Sequence, residues 1–146
     1  MTADAPDWRV VLGQALRQAR DAGWTVALQC RRLKTADAGE TQRGLRLWTD
    51  FQMLLIALRR LRRSAELAAQ APGARDGLSV AIAAFDQPLP DLWRLENMEA
   101  SFERAPVAIA DDWSGSVIQW PGGVLNIDDA LRCSEALLVA MTTLCR

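Results

Sequence analysis

The most constraining feature of the chain is a run of apolar residues at alternating steps of four and three between residues 47 and 68. The run consists of Leu47, Phe51, Leu54, Leu58, Leu61, Ala65 and Ala68. This spacing places all of them on one side of an α-helix. Such a seam favours packing against another helix at a shallow angle. We therefore expect a long helix here, ending before Ala71-Pro72-Gly73, within a helical bundle.

A second amphipathic pattern precedes the seam and supplies its expected antiparallel partner. Its apolar positions are Trp8, Leu12, Ala15, Ala19, Ala22, Val26, Cys30 and Leu33. Asp4 is the expected N-cap of this helix, with Pro6 or Asp7 in its first turn. Gly23 lies inside the pattern and weakens it, so the sequence leaves a kink or break open at that point. Residues 35–43 are polar and are expected to connect the two helices.

The rest of the chain predicts three shorter helices and one hairpin. The residues that mark the buried faces of the helices are Leu78, Ile82 and Phe85; then Leu92, Leu95, Met98 and Phe102; and finally Leu131, Ser134, Leu138, Met141 and Cys145, a face that Leu137 and Leu144 widen. Residues 117–120 and 124–127 flank Pro121-Gly122, a pair typical of a β-turn. Asn126 or Asp128 is expected to cap the last helix. The predicted fold is a single all-α domain over residues 1–146, a bundle of about five helices with a small β-hairpin before the C-terminal helix.

Composition excludes several kinds of chemistry. The chain has no histidine, so a Ser-His-Asp triad, a Cys-His pair and a His-ligated zinc site are all impossible. Its three cysteines are scattered, and no glycine-rich phosphate-binding motif occurs. We therefore expect no catalytic residues, no metal site and no cofactor.

The sequence also favours a cytoplasmic protein that does not enter a membrane. No basic region followed by an apolar run stands at the N-terminus, and the longest apolar stretches, such as residues 53–58, are too short to span a bilayer. Cys30, Cys133 and Cys145 are odd in number and lack CxxC spacing, which is typical of reduced thiols.

Charge is unevenly distributed along the chain. Residues 1–75 hold 13 Lys and Arg against 7 Asp and Glu, whereas residues 76–146 hold 4 against 11. The densest basic run is Arg59, Arg60, Arg62 and Arg63 in the second helix. These arginines could bind phosphates, or they could form a solvated face near a helix C-terminus, and no aromatic residue interleaves the run as a stacking surface requires. Nucleic acid is therefore a possible partner but not the favoured one.

The predicted fourth helix carries the complementary charge. Glu96, Glu99 and Glu103 fall on one side of it, away from its apolar stripe, and are expected to form a solvated or partner-binding face rather than a metal site. Trp93 lies off the apolar stripe, one turn before Asn97. An exposed tryptophan often anchors an interface, although ordinary packing is an equal alternative. Of the other tryptophans, Trp8 and Trp48 belong to the helix stripes, and Trp113 and Trp120 flank the predicted hairpin.

Residues 51–103 resemble the HEPN-like helical proteins of bacteria. A long Leu/Arg-rich helix, here residues 51–69, is followed by a shorter helix and a Phe-Asp…Pro-x-Leu turn at residues 85–92. The next helix has a polar residue at Asn97 and a Phe-acidic pair at Phe102-Glu103, as in the family. Where active members carry Arg and His for cleaving RNA, this chain has Glu96 and Ser101. The resemblance therefore implies a two-helix dimer surface without the ribonuclease.

Together, these patterns predict a non-catalytic helical interaction protein. It is expected to self-associate, or to bind another protein, through the second and fourth helices, because the second carries the long apolar seam and the two carry opposite charge. The alternative is an RNA- or nucleotide-binding module that uses the cluster from Arg59 to Arg63.

Overall fold

A computed structural model describes residues 4–35, 40–92, 116–120 and 123–146 of the chain. These residues form four α-helices and one two-stranded sheet. Helix α1 spans Trp8–Lys34, α2 Arg43–Ala68, α3 Arg75–Asp86 and α4 Ile127–Leu144, and strands β1 and β2 span Val117–Trp120 and Gly123–Asn126. The mostly helical fold with a hairpin before the last helix is thus confirmed. The predicted fourth helix falls largely outside the described ranges, and its first residues, Pro90–Leu92, form a short 3-10 turn.

Helix α1 begins later than predicted and continues past its glycine. Asp7 is the N-cap, because its carboxylate accepts a hydrogen bond from the Arg9 backbone N–H at 3.0 Å. The prediction of Asp4 as the N-cap was therefore wrong, because Asp7, about one turn later, has this role. Gly23 causes no break. A Cβ there would lie 3.3 Å from Leu138 Cδ2, so the missing side chain allows α4 to approach closely.

The predicted seam of α2 is buried in full. All seven of its residues are at most 1% exposed, and Trp48 and Leu55 beside them are also buried. Helix α1 makes its most extensive contacts with α2, and the ion pair between Arg32 and Asp50 joins the end of the first helix to the beginning of the second. The two helices are therefore antiparallel. Because α1, α3 and α4 of the same chain all contact α2, its seam is satisfied without a second molecule.

The buried face of α4 is rotated relative to the prediction. Ser134, Leu137 and Met141 are buried as expected, together with Ile127, Ala130 and Cys133, whereas Leu131, Leu138 and Cys145 are only partly buried. Leu144 is 43% exposed but lies against α3, where a Cβ on Gly77 would stand 2.9 Å from its Cδ1.

The hairpin forms where the Pro-Gly pair predicts it. Strands β1 and β2 are antiparallel, with Val117 opposite Asn126 and Trp120 opposite Gly123. The second strand lies one residue earlier than expected, and Ile127 instead begins α4. The Asn126 side chain caps this helix by accepting a hydrogen bond from the Asp129 N–H at 3.1 Å, which decides between the two predicted caps.

Polar contacts hold the ends of these elements together. Arg46 donates hydrogen bonds to Glu40 at 2.5 Å and to the backbone carbonyls of Arg32 and Thr35 at 2.8 Å each. These bonds close the connection between α1 and α2, and the hydrogen bond to Glu40 raises the pKa of Arg46. Lys34 pairs with Asp128 at the start of α4.

Candidate interaction surface on helices α1 and α2

The arginine run in α2 points in two directions, because consecutive residues of a helix are 100° apart. Arg62 faces α3. Its Nε and Nη2 donate to the two carboxylate oxygens of Asp86 at 2.8 Å each, and it also pairs with Glu66. The hydrogen bond to Asp86 raises the pKa of Arg62 above its ordinary value. The ion pair with Asp86 therefore links α2 to α3, while the pair with Glu66 lies within α2.

Arg60 and Arg63 point the other way and are exposed. Both line a groove of about 410 Å³ between α1 and α2. Its remaining lining residues are Gln18, Asp21, Ala22, Thr25, Met53, Ile56, Ala57 and Ser64. Arg59 does not line this groove and is half-buried. The predicted cluster is thus divided, with two of its four guanidinium groups at one groove.

The groove has an apolar floor and a charged rim. Ala22 and Ala57 are buried at its base, while Met53 and Ile56 are 39% and 40% exposed along one wall. The Ser64 hydroxyl donates to the Arg60 backbone carbonyl at 2.9 Å, so the buried polar group of the floor has its hydrogen bond. Such a surface can take up aliphatic side chains on its floor and carboxylates on its rim.

The described part of the chain offers little for covalent or metal chemistry. Within it, no group of three or more Cys, Asp and Glu residues lies close enough to hold a metal ion. Burial raises the pKa of the Cys30 thiol to about 11, and that thiol donates a weak hydrogen bond to the Ile127 carbonyl at 3.8 Å. Burial likewise raises the pKa of Cys133 and of Cys145. Thiols of this kind are poor nucleophiles at neutral pH.

The acidic half of the predicted site lies outside the described residues. Trp93, Asn97 and the glutamates Glu96, Glu99 and Glu103 all fall in the stretch 93–115, which the structure does not describe, as does Trp113. Their proximity to Arg60 and Arg63 therefore stays a prediction.

Two exposed features escaped the sequence reasoning. Trp24 is 73% exposed on α1, and the signal that could have identified it is its position outside the helix's apolar stripe. The other is an uncharged surface on α3 and α4, where Val80 and Val139 are 71% and 65% exposed. No charged residue occurs between Asp76 and Asp86 or between Glu135 and Arg146. That pattern could have been found by searching for charge-free helix faces.

Comparison with known proteins adds no relative. No protein-family model matches the chain, and neither the curated proteins nor the solved structures contain a significant match. None of the helices in the described ranges combines the length and the apolar character needed to cross a bilayer.

Proposed function

We propose that this chain is a non-catalytic helical interaction protein that self-associates by inserting the acidic segment of one copy, residues 93–103, at the α1–α2 groove of another. The observation that carries the proposal is the pairing of an apolar groove floor with Arg60 and Arg63 on its rim. The α2 seam no longer supports self-association, because it is buried within the chain.

The chemistry of the two surfaces is complementary. Arg60 and Arg63 are three residues apart on one helix, so they are displaced by about 4.5 Å along its axis. Glu96 and Glu99 have the same spacing in the predicted fourth helix, and Glu103 extends the row. Carboxylate–guanidinium pairs give orientation and specificity at an interface, while apolar side chains supply most of the affinity. On the groove side, Met53 and Ile56 are exposed for that purpose.

The resemblance to HEPN-like proteins is consistent with this proposal. It implies a dimer surface built by the same two helices, with Glu96 and Ser101 in place of the Arg and His that active ribonucleases use. The alternative, a phosphate-binding site at Arg59–Arg63, has weaker support. Arg62 is paired with Asp86 and Glu66, so its guanidinium group is already used within the chain.

The test is the solution mass by size-exclusion chromatography with light scattering, at low and high salt under reducing conditions. We expect a dimer at low salt that is weakened at high salt, because salt screens exposed charges. Arg60→Glu/Arg63→Glu should shift the protein toward monomer, as should Glu99→Arg/Glu103→Arg. Combining all four substitutions should restore the dimer, which a general loss of stability would not do.

A matched control is available in Arg75→Glu/Arg146→Glu. Both arginines are exposed and neither lines the groove, so this variant has the same change in net charge but should remain dimeric. A wild-type protein that stays monomeric at high concentration would refute self-association. If Val80→Glu/Val139→Glu dissociates a dimer that the Arg60/Arg63 variant leaves intact, the interface is on α3 and α4 and the groove proposal is wrong.

A further inference from the structure

The outward face of α1 is strongly basic. This helix carries six Arg and Lys residues and a single acidic residue, Asp21. Arg32 and Lys34 are paired with Asp50 and Asp128. The other four, Arg9, Arg17, Arg20 and Arg31, are exposed and have no ion-pair partner among the residues that the structure describes. A long helix face with several solvated guanidinium groups is therefore available for an anionic ligand.

Trp24 stands in the middle of this face. Arg17, Trp24 and Arg31 follow one another at intervals of seven residues, which is close to two helical turns. They therefore lie along one line, about 10.5 Å apart from one residue to the next. Arg20 is one turn before Trp24 on the same side. Because 73% of the tryptophan surface is exposed, most of its ring is free to contact a ligand.

We propose that this face binds single-stranded nucleic acid, with a base stacked on Trp24 and phosphates bound by Arg17, Arg20 and Arg31. Non-specific single-strand binding combines positive charge along the backbone with an aromatic ring that accepts any base. Arginine suits the role because its planar group binds phosphate in a bidentate manner and also stacks on bases. None of these four residues lines the groove of Arg60 and Arg63, and the inference does not depend on the proposed self-association.

The charge of the described helices supports an anionic ligand on this side. Helices α1 and α2 hold twelve Arg and Lys residues against three Asp and Glu, whereas α3 and α4 hold two against five. The sequence thus concentrates the basic charge of the described helices on the α1–α2 pair. The resulting field attracts a polyanion to the α1–α2 pair and increases its rate of association.

Nucleic acid fits the face better than a lipid surface does. A helix that lies in a membrane interface presents a continuous apolar stripe flanked by cations. On α1, the continuous apolar stripe faces the protein core, and the outward line alternates apolar and basic residues, namely Val10, Arg17, Trp24 and Arg31. One isolated ring between cations is suited to stacking on a base, not to insertion among acyl chains.

The experiment measures fluorescence anisotropy of end-labelled oligo(U) and oligo(dT) of about 12 nucleotides, titrated with the full chain. Trp24→Ala should raise the Kd about tenfold, because loss of one stacked base has an effect of that size. Trp24→Phe retains an aromatic face and should remain within about threefold of the wild type. Since the tryptophan is exposed, both variants should keep the wild-type circular dichroism spectrum.

The arginines are tested by the salt dependence between about 50 and 200 mM. Arg17→Gln/Arg31→Gln should reduce the slope of log K against log salt by about 1.4, since each phosphate on a single strand contributes about 0.7. The matched variant Arg60→Gln/Arg63→Gln removes the same charge from the groove and should leave the slope unchanged.

Several results would overturn the proposal. Binding that is lost with Arg60→Gln/Arg63→Gln but not with Arg17→Gln/Arg31→Gln would move the site to the groove. Equal affinity for duplex and single strand, or no effect of Trp24→Ala, would reduce the interaction to a general attraction for polyanions. Sedimentation with anionic vesicles in the absence of oligonucleotide binding would show that the ligand is a lipid surface instead.

Discussion

Neighbouring arginines in α2 should differ sharply in their contribution to stability. Arg62 makes two hydrogen bonds of 2.8 Å to Asp86, and the side chains of the pair are 18% and 28% exposed. Arg63 is exposed on the groove rim. Replacing each by glutamine keeps a long polar side chain of similar helix propensity, so the comparison isolates the charge and its contacts.

The expected magnitude for Arg62 lies between two known limits. Exposed ion pairs contribute about 0–1 kcal/mol, whereas removing one partner of a buried pair costs about 3–5 kcal/mol. Because the Arg62–Asp86 pair is partly exposed and bidentate, we expect Arg62→Gln to lower the free energy of unfolding by about 2 kcal/mol. Arg63→Gln should change it by no more than about 0.5 kcal/mol, as is usual for exposed positions.

Urea unfolding followed by circular dichroism measures both values. With an m-value of about 2 kcal/mol per M, the midpoint should fall by about 1 M for Arg62→Gln and by less than about 0.25 M for Arg63→Gln. The double variant Arg62→Gln/Asp86→Asn should be more stable than the sum of the single effects implies, by about 1 kcal/mol, because it does not leave the part-buried Asp86 carboxylate without its arginine.

Equal midpoint shifts for Arg62→Gln and Arg63→Gln would refute the distinction between Arg62, which stabilises the fold, and Arg63, which is exposed at the groove. A double-variant cycle with no coupling would show that Asp86 is not the partner that matters. Either result would also remove the argument that the pairing of Arg62 with Asp86 prevents Arg62 from binding phosphate.

Three further predictions concern the rest of the fold. Gly123→Ala should lower the free energy of unfolding by about 2 kcal/mol or more, because the φ of Gly123 is +152° and a Cβ there would lie 2.5 Å from the Asp91 carboxylate. Gly13→Ala is the contrasting case, because Gly13 has open space around it in α1, and it should raise the free energy of unfolding by up to about 1 kcal/mol. The same urea assay measures both. Burial raises the pKa of the Cys30 thiol in the folded state to about 11, so its contribution to stability is fully present below the unfolded-state pKa near 9.0 and is lost as pH rises toward 11. Between those pH values, the free energy of unfolding of the wild type should fall by about 2 kcal/mol relative to that of Cys30→Ala. Parallel stability–pH curves for the two proteins would contradict this. Leu58→Ala, in the seam and fully buried, should cost about 3 kcal/mol in thermal or urea unfolding, and a loss below 1 kcal/mol would indicate a loosely packed core.

The positions of the main helices and of the hairpin followed from local patterns. The seam of α2 was predicted residue by residue, because a helix that must bury one face repeats its apolar residues every three or four positions. The hairpin was signalled by two short β-prone runs around Pro121-Gly122. Caps were less certain, since Asp4 and Asp7 both suit the role and only the backbone decides which carboxylate meets a free N–H.

The availability of each charged or aromatic side chain was decided by the tertiary structure. The sequence alone determined that α2 is amphipathic and rich in arginine. It did not determine that α1, α3 and α4 of the same chain cover its seam, or that Arg62 meets Asp86, 24 residues further along the chain. Burial and pairing depend on the rotation of each helix about its axis and on residues distant in sequence, whereas periodicity describes one segment at a time. For the same reason, the lack of ion-pair partners for Arg9, Arg17, Arg20 and Arg31 within the described part of the chain became apparent only from the packed structure.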